Sequence, residues 1–175
     1  MSSSTLDRAA VINTGPIIAL VAALKSLEVL TSLYDRVIIP RAVWSELMAG
    51  GSESSEIRAL QELTEVVEVH ASEVEVIESR AMALDSGEAA VLQTALNSGI
   101  PRVIIDEKLG RKVAAACGLQ VTGSLGVLVR AKKLGLLPSI ASPIHSMVRS
   151  RVRISPLLRR IALEQAGETR WGGSG

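Results

Sequence analysis

Along this chain, short unbroken hydrophobic runs alternate with longer stretches in which apolar residues recur at helical spacing. Residues 9–12 form the first such run, which breaks at Asn13, Thr14, Gly15 and Pro16 before a helical pattern begins. Strand, turn and helix are expected in that order. A short helix is expected over 27–33. The β-branched run Val37, Ile38, Ile39 stops at Pro40, a residue suited to the first turn of a helix, so a second strand feeds a helix over 41–48. A polar loop over 50–55, a helix over 56–63 and a third strand over 66–69 come next, then helices over 73–84 and 87–96. Gly99, Ile100 and Pro101 precede the run Val103, Ile104, Ile105, a fourth strand that ends abruptly at Asp106. A helix over 109–117 is stopped by Gly118, a short strand covers 119–121, and a helix runs from Gly123 to Leu134. Beyond Pro138 the pattern is helical in two pieces, split by Ser155 and Pro156. Strands that alternate with helices and are apolar on both faces imply a parallel sheet covered on both sides.

Composition narrows this picture. With 175 residues, 47% of them hydrophobic, the chain suits one compact domain with a sizeable core. The domain is expected over 1–166, with 167–175 as a flexible tail. No apolar run reaches the roughly 20 residues that cross a bilayer, since the run over 16–24 is closed by Lys25. Asp7 and Arg8 precede it without a basic leader, so export is not expected and a cytoplasmic, membrane-free protein is. Cys117 is the single cysteine and cannot form an internal disulfide. Its apolar helical setting predicts a buried thiol. Phe is absent and aromatics amount to 2%, so the core must be Leu, Ile, Val and Ala, and stacking of bases on aromatic platforms is disfavoured. Residues 1–101 carry 6 basic and 14 acidic side chains and residues 102–175 carry 13 and 4, nets of −8 and +9. A basic half attracts polyanions, although a solvated Lys/Arg helix face gives the same count.

In open parallel sheets the binding crevice lies outside the carboxyl ends of the strands, where polar residues ending apolar runs converge. Asn13 and Asp106 both end such runs, on strands that can lie side by side. Each also has a plain reading as a turn residue or helix cap. Glu46 borders the apolar stripe of the helix over 41–48 and can face the crevice or solvent. Glu88 follows Asp85 in a capping-box pattern, Asp85-Ser86-Gly87-Glu88. Carboxylate-type oxygens without a His or Cys cluster are hard ligands suited to Mg²⁺ or Mn²⁺, ions that activate water and stabilise charge on a phosphate. His70 and His145 lack ligand partners at zinc spacing and are read as structural, no Ser-His-Asp order is convincing, and neither dinucleotide nor ATP phosphate-binding motif occurs. Gly123-Ser124-Leu125-Gly126 opens a helix after a strand, where its N–H groups can meet a phosphate or simply start the helix.

Taken together, the words Val11-Ile12-Asn13-Thr14-Gly15-Pro16, Val37-Ile38-Ile39-Pro40 with Val43-Trp44-Ser45-Glu46-Leu47, Ser86-Gly87-Glu88-Ala89-Ala90, Ile104-Ile105-Asp106-Glu107 with Gly110-Arg111-Lys112, and Val121-Thr122-Gly123-Ser124-Leu125-Gly126 resemble a PIN-like family first catalogued as a domain of unknown function. The resemblance spans roughly residues 9–160. It implies a three-layer α/β/α fold and a metal-dependent endoribonuclease of the kind found as the toxin half of toxin–antitoxin pairs. The acidic positions of the family carry over to Asn13, Glu46, Glu88 and Asp106, which would hold Mg²⁺ or Mn²⁺ and its water. Asn13 departs from the pattern, which has Asp at the end of the first strand, and the loss of that charge weakens the metal site. Thr14 and Ser124 would hold a water or phosphate, and Lys108, Arg111 and Lys112 would meet RNA phosphates, with aliphatic packing as an equal role for Arg111. Expected partners are RNA, a small antitoxin protein and a second copy of the chain as a homodimer. The competing reading is a catalytically impaired RNA- or protein-binding module.

Overall fold

A computed structural model describes residues 8–51, 54–63, 67–70 and 84–168. Among these residues five strands form one sheet: β1 (Ala9–Ile12), β2 (Arg36–Pro40), β3 (Val67–His70), β4 (Arg102–Ile104) and β5 (Gln120–Thr122). The helices are α1 (Thr14–Leu24), α2 (Glu28–Leu33), α3 (Arg41–Ala49), α4 (Ser55–Gln61), α5 (Ser86–Ser98), α6 (Lys108–Ala116), α7 (Ser124–Lys133), α8 (Ala141–Arg149) and α9 (Pro156–Gln165). They flank the sheet to give a three-layer α/β/α architecture. Each strand foreseen from the hydrophobic runs is present, with ends shifted by a residue or so. Ile105 leaves the ladder of β4 yet still donates its N–H to the Thr122 carbonyl at 2.8 Å. The helix expected over 73–84 falls almost wholly outside the described residues.

The strand order is β3-β2-β1-β4-β5 and every pairing is parallel. From β1 the chain builds outward through β2 to β3, then returns to the other side of β1 to lay down β4 and β5. The order therefore reverses between β1 and β4. Connections leaving these two strands part to either side, and a crevice opens beyond their carboxyl ends. Val11 pairs with Val103 and Ile12 with Ile104, so Asn13 and the segment Ile105-Asp106 emerge together at that edge. The Asn13 N–H still reaches the Ile104 carbonyl at 3.1 Å.

All four residues of β1 are fully buried, as a central strand covered on both faces requires. Aliphatic side chains make the core: Ile12, Ile17, Leu20, Leu30, Ile38, Ile39, Leu92 and Ile104 have almost no accessible surface. Each such side chain contributes about 1.5–3 kcal/mol by leaving water. α5 lies across β1, β2 and β4, and α1 packs against α8, α4 and α7. Among the described residues Tyr34 is the fully buried aromatic, its ring flanked by the guanidinium carbons of Arg102 and Arg130 at 5.9 and 5.8 Å.

Three expectations need correction. Cys117 is half-buried as the C-cap of α6, one position past the last residue of the helix, and is no core thiol. His145 stands exposed on α8, so packing does not explain it. Of the tail expected over 167–175, Gly167 and Glu168 are described, and Glu168 is anchored. Its carboxylate accepts hydrogen bonds from Ser139 Oγ at 2.6 Å and from the backbone N–H groups of Ile140 and Ala141 at 2.8 and 3.2 Å. These are free donors at the start of α8, so a residue three positions past the end of α9 caps a helix that begins 27 positions upstream. Burial acts against ionisation of Glu168, but these bonds and Lys132 outweigh it and hold the carboxyl below its ordinary range. No helix among the described residues is long and apolar enough to cross a membrane.

Candidate active site

Asn13 stands at the N-cap of α1 with extended backbone, yet its side chain makes no capping bond. Its Oδ1 is buried without a hydrogen-bond partner. The plain reading of this residue as a cap therefore does not describe what its amide does. Thr14, the first residue of α1, donates from Oγ1 to Glu46 Oε2 at 2.6 Å. Glu46 is an exposed residue of α3, and this bond turns its carboxylate toward the end of β1. A Cβ placed on Gly87 would stand 3.2 Å from Asn13 Oδ1 and 3.2 Å from Glu46 Oε2. The bare face of Gly87 leaves room for both oxygens.

The capping pattern at α5 is present, with Asp85 Oδ1 accepting from the Glu88 N–H at 2.7 Å. Glu88 itself is 4% exposed, and its Oε1 has no hydrogen-bond partner. Burial pushes this carboxyl above the ordinary glutamate range, and the charge of Asp85 adds to the push. The Asp85 and Gly110 amides offset it in part, while Glu107 raises it further. Buried acceptor oxygens, of amide or carboxylate, are costly to leave unpaired. Two such acceptors, Asn13 Oδ1 and Glu88 Oε1, occur at one end of the sheet.

Asp106 follows β4 and keeps one side open to solvent. Its Oδ1 accepts from the Ser124 N–H at 2.7 Å and the Ser124 Oγ at 3.1 Å. The helix start at Gly123-Ser124 thus offers its first N–H to a carboxylate of the protein itself, an arrangement the positive end of α7 favours. Crowding around the carboxyl pushes it above the usual aspartate range, while Ser124 and Arg111 pull it down and Glu107 pushes it up. Arg111 donates from Nη1 to the Ile105 carbonyl at 2.9 Å, which fixes its guanidinium beside Asp106. A Cβ on Gly123 would stand 2.6 Å from Asp106 Oδ1. Lys108 and Lys112 are exposed one turn apart on α6.

The structure thus gathers Asn13, Thr14 and Glu46 around Gly87, sets Glu88 against Gly110, and seats Asp106 with Arg111 and Ser124 against Gly123. Among the described residues, no group of three or more His, Cys, Asp or Glu side chains is arranged to hold a metal ion. The donor chemistry still fits a divalent hard cation, because the set is all oxygen and two of its buried acceptors lack donors. Sequence reasoning missed the glycines. Their signal was adjacency, since Gly87 precedes Glu88 and Gly123 precedes Ser124. From Asp106 and Arg111 a cleft of about 590 Å³ continues between α7 on one side and Arg151–Ile154 with α9 on the other.

A family model described as a PIN domain matches residues 9–168, nearly the whole described chain. No curated protein and no solved structure matched in the corresponding searches.

Proposed function

The chain belongs to the PIN-domain family, a nuclease-type fold, and from that premise we propose that it is an endoribonuclease that hydrolyses RNA phosphodiesters with Mg²⁺ or Mn²⁺. The observation that carries this reading is the pair of buried, unpartnered oxygens, Asn13 Oδ1 and Glu88 Oε1, the first sharing the bare face of Gly87 with Glu46 and the second set against Gly110 and Ile105. Glu46, Glu88 and Asp106 would hold the cation, with Asn13 lending a neutral oxygen. When bound, such an ion supplies an activated water and stabilises charge on the phosphate.

The residues around them have separable tasks. Thr14 orients Glu46, and Ser124 orients Asp106 through two hydrogen bonds. Outer partners of this kind fix the direction of a ligating oxygen. Lys108 and Lys112, exposed on the helix after Asp106, are suited to RNA phosphates, and Arg111 reaches the same edge. A small antitoxin protein and a second copy of the chain are the protein partners we propose alongside this reading.

Purified protein incubated with single-stranded RNA should cleave it with Mg²⁺ or Mn²⁺ and not in chelator, and Asp106→Asn should abolish cleavage. Wild-type rates in that variant would sink the proposal. One feature favours a second reading, a binding module with impaired catalysis: Asn13 removes a charge from the metal end of the crevice. Calorimetry separates the two. Absence of metal binding in the wild type, restored by Asn13→Asp, supports the module.

A further inference from the structure

The cleft beside Asp106 has a chemistry of its own. Its walls combine Leu125 and Val129 of α7 with Val152, Ile154, Leu158 and Ile161. Leu158 and Ile161 are 52% and 37% exposed, an apolar face with nothing against it among the described residues. Arg151 and Arg153 stand at the same cleft, both exposed, while Val152 and Ile154 between and after them are half-buried. Neither guanidinium has an ion pair or hydrogen bond among the described residues. The volume of about 590 Å³ lies in the range of ligand sites.

Arg151 adds a backbone observation. It lies at φ +64°, in the left-handed region that favours glycine. Its N–H bonds the Val148 carbonyl, and the Val152 N–H bonds the Met147 carbonyl, both at 3.0 Å. This is the helix ending that glycine most often supplies. An arginine holds the place of a glycine and projects a cation at the mouth of an apolar slot.

The geometry points to a nucleotide-binding subsite in this cleft: an unpaired base enters between Leu125, Ile154, Leu158 and Ile161, and Arg151 and Arg153 take the flanking phosphates. This inference rests on the ribonuclease reading and names how it selects its substrate. Charge decides the occupant: Arg111, Arg151 and Arg153 outnumber the carboxylates Asp106 and Glu107 in the cleft lining, and the net positive charge beside an apolar slot complements a phosphodiester with an exposed base. A bare slot would serve an apolar peptide, but the arginines would then be left unpaired. Since the slot offers no aromatic platform, it accepts a base by enclosure and not by stacking. A duplex cannot insert its bases and reaches the arginines alone. The cleft thereby selects single strands.

Fluorescence anisotropy of the intact protein, in chelator so that nothing is cut, tests this with a labelled oligouridylate and with an RNA duplex of equal length. Single-stranded RNA should bind several-fold more tightly than duplex. Arg151→Gly suits the backbone at its position, so it should fold at least as well as wild type. It should nevertheless weaken binding several-fold and lower the salt-dependence slope by about one. Leu158→Asp, on an exposed position, should erase the preference for single strands. Unchanged RNA affinity in Arg151→Gly and Arg153→Ala, equal binding of the two RNAs by wild type, or absence of RNA binding at low salt would each overturn the subsite. Because binding is read without metal, failure to cleave bears on the ribonuclease reading, and these outcomes bear on the cleft.

Discussion

Gly110 and Glu88 are fitted to each other: a Cβ on the glycine would stand 2.5 Å from the glutamate Oε1, 3.0 Å from its Cδ and 3.1 Å from Ile105 Cγ2. Gly110→Ala must therefore displace the Glu88 carboxylate, with Ile105 closing off one direction of escape. Overpacking of this kind costs about 1–3 kcal/mol. The larger effect should fall on RNA cleavage, since a misplaced group of about 1 Å can cost 10²-fold in rate. Melting curves and metal-dependent cleavage measured on the same preparation check both. Unaltered cleavage would remove Glu88 from the machinery.

Glu88 and Asp106 both have raised carboxyl pKa values in the folded state, Glu88 chiefly from burial and Asp106 chiefly from the protein atoms crowded round a carboxyl that is open to solvent on one side. The folded chain therefore holds these protons more tightly than the unfolded one. Their contribution to stability is greatest at acid pH and is lost as pH rises from the ordinary carboxylate range through the raised values. Glu88→Gln should consequently melt at a higher temperature than wild type near neutrality, with the difference shrinking as the pH falls. Cleavage should behave oppositely, rising with pH as both groups ionise. A variant no more stable than wild type at pH 7 would contradict the buried charge.

Thr14→Val removes the donor that turns Glu46 inward while keeping the side chain's shape. Loss of an orienting partner typically costs 10–100-fold in metal affinity or activity, so cleavage should fall by about that factor. Stability should change by about 1 kcal/mol. Thr14→Ser, which retains the hydroxyl, should stay near the wild-type rate. Equal losses in both variants would mean that the hydrogen bond is irrelevant.

Glu168 gives a prediction of the opposite sign. Its lowered carboxyl pKa means that its stabilising contribution is present above the ordinary carboxylate range and is lost as pH falls through the folded value. Glu168→Ala should lower stability near pH 7 by about 0.5–1 kcal/mol, the scale of a helix cap partly open to water. In acid the two proteins should converge. Thermal melts at both pH values measure this, and a pH-independent difference would show that the cap is not ionic.

Much of the fold was legible because β-branched runs bounded by Pro40, Pro101 and Gly118 leave few alternatives to buried parallel strands. Asn13 and Asp106 could be placed at the crevice for the same reason, as polar residues that end such runs. The course of their oxygens was not legible. Nothing in the spacing says that Asn13 forgoes its cap, or that Ser124 gives its N–H to Asp106 and not to a ligand. Those outcomes depend on glycines whose missing side chains make space, and a sequence does not mark empty space. Arg151 was hidden likewise, since a left-handed arginine looks like any other in a basic stretch.

The reversal of strand order also fixes when the crevice can exist. β1 and β2 are neighbours separated by a short excursion, whereas β4 joins β1 only after some 90 intervening positions have been made and folded around. Contacts so distant along the chain are the slow ones. A growing or partly folded chain therefore carries Asn13 and Glu46 without Asp106, and the crevice is incomplete until the sheet has closed.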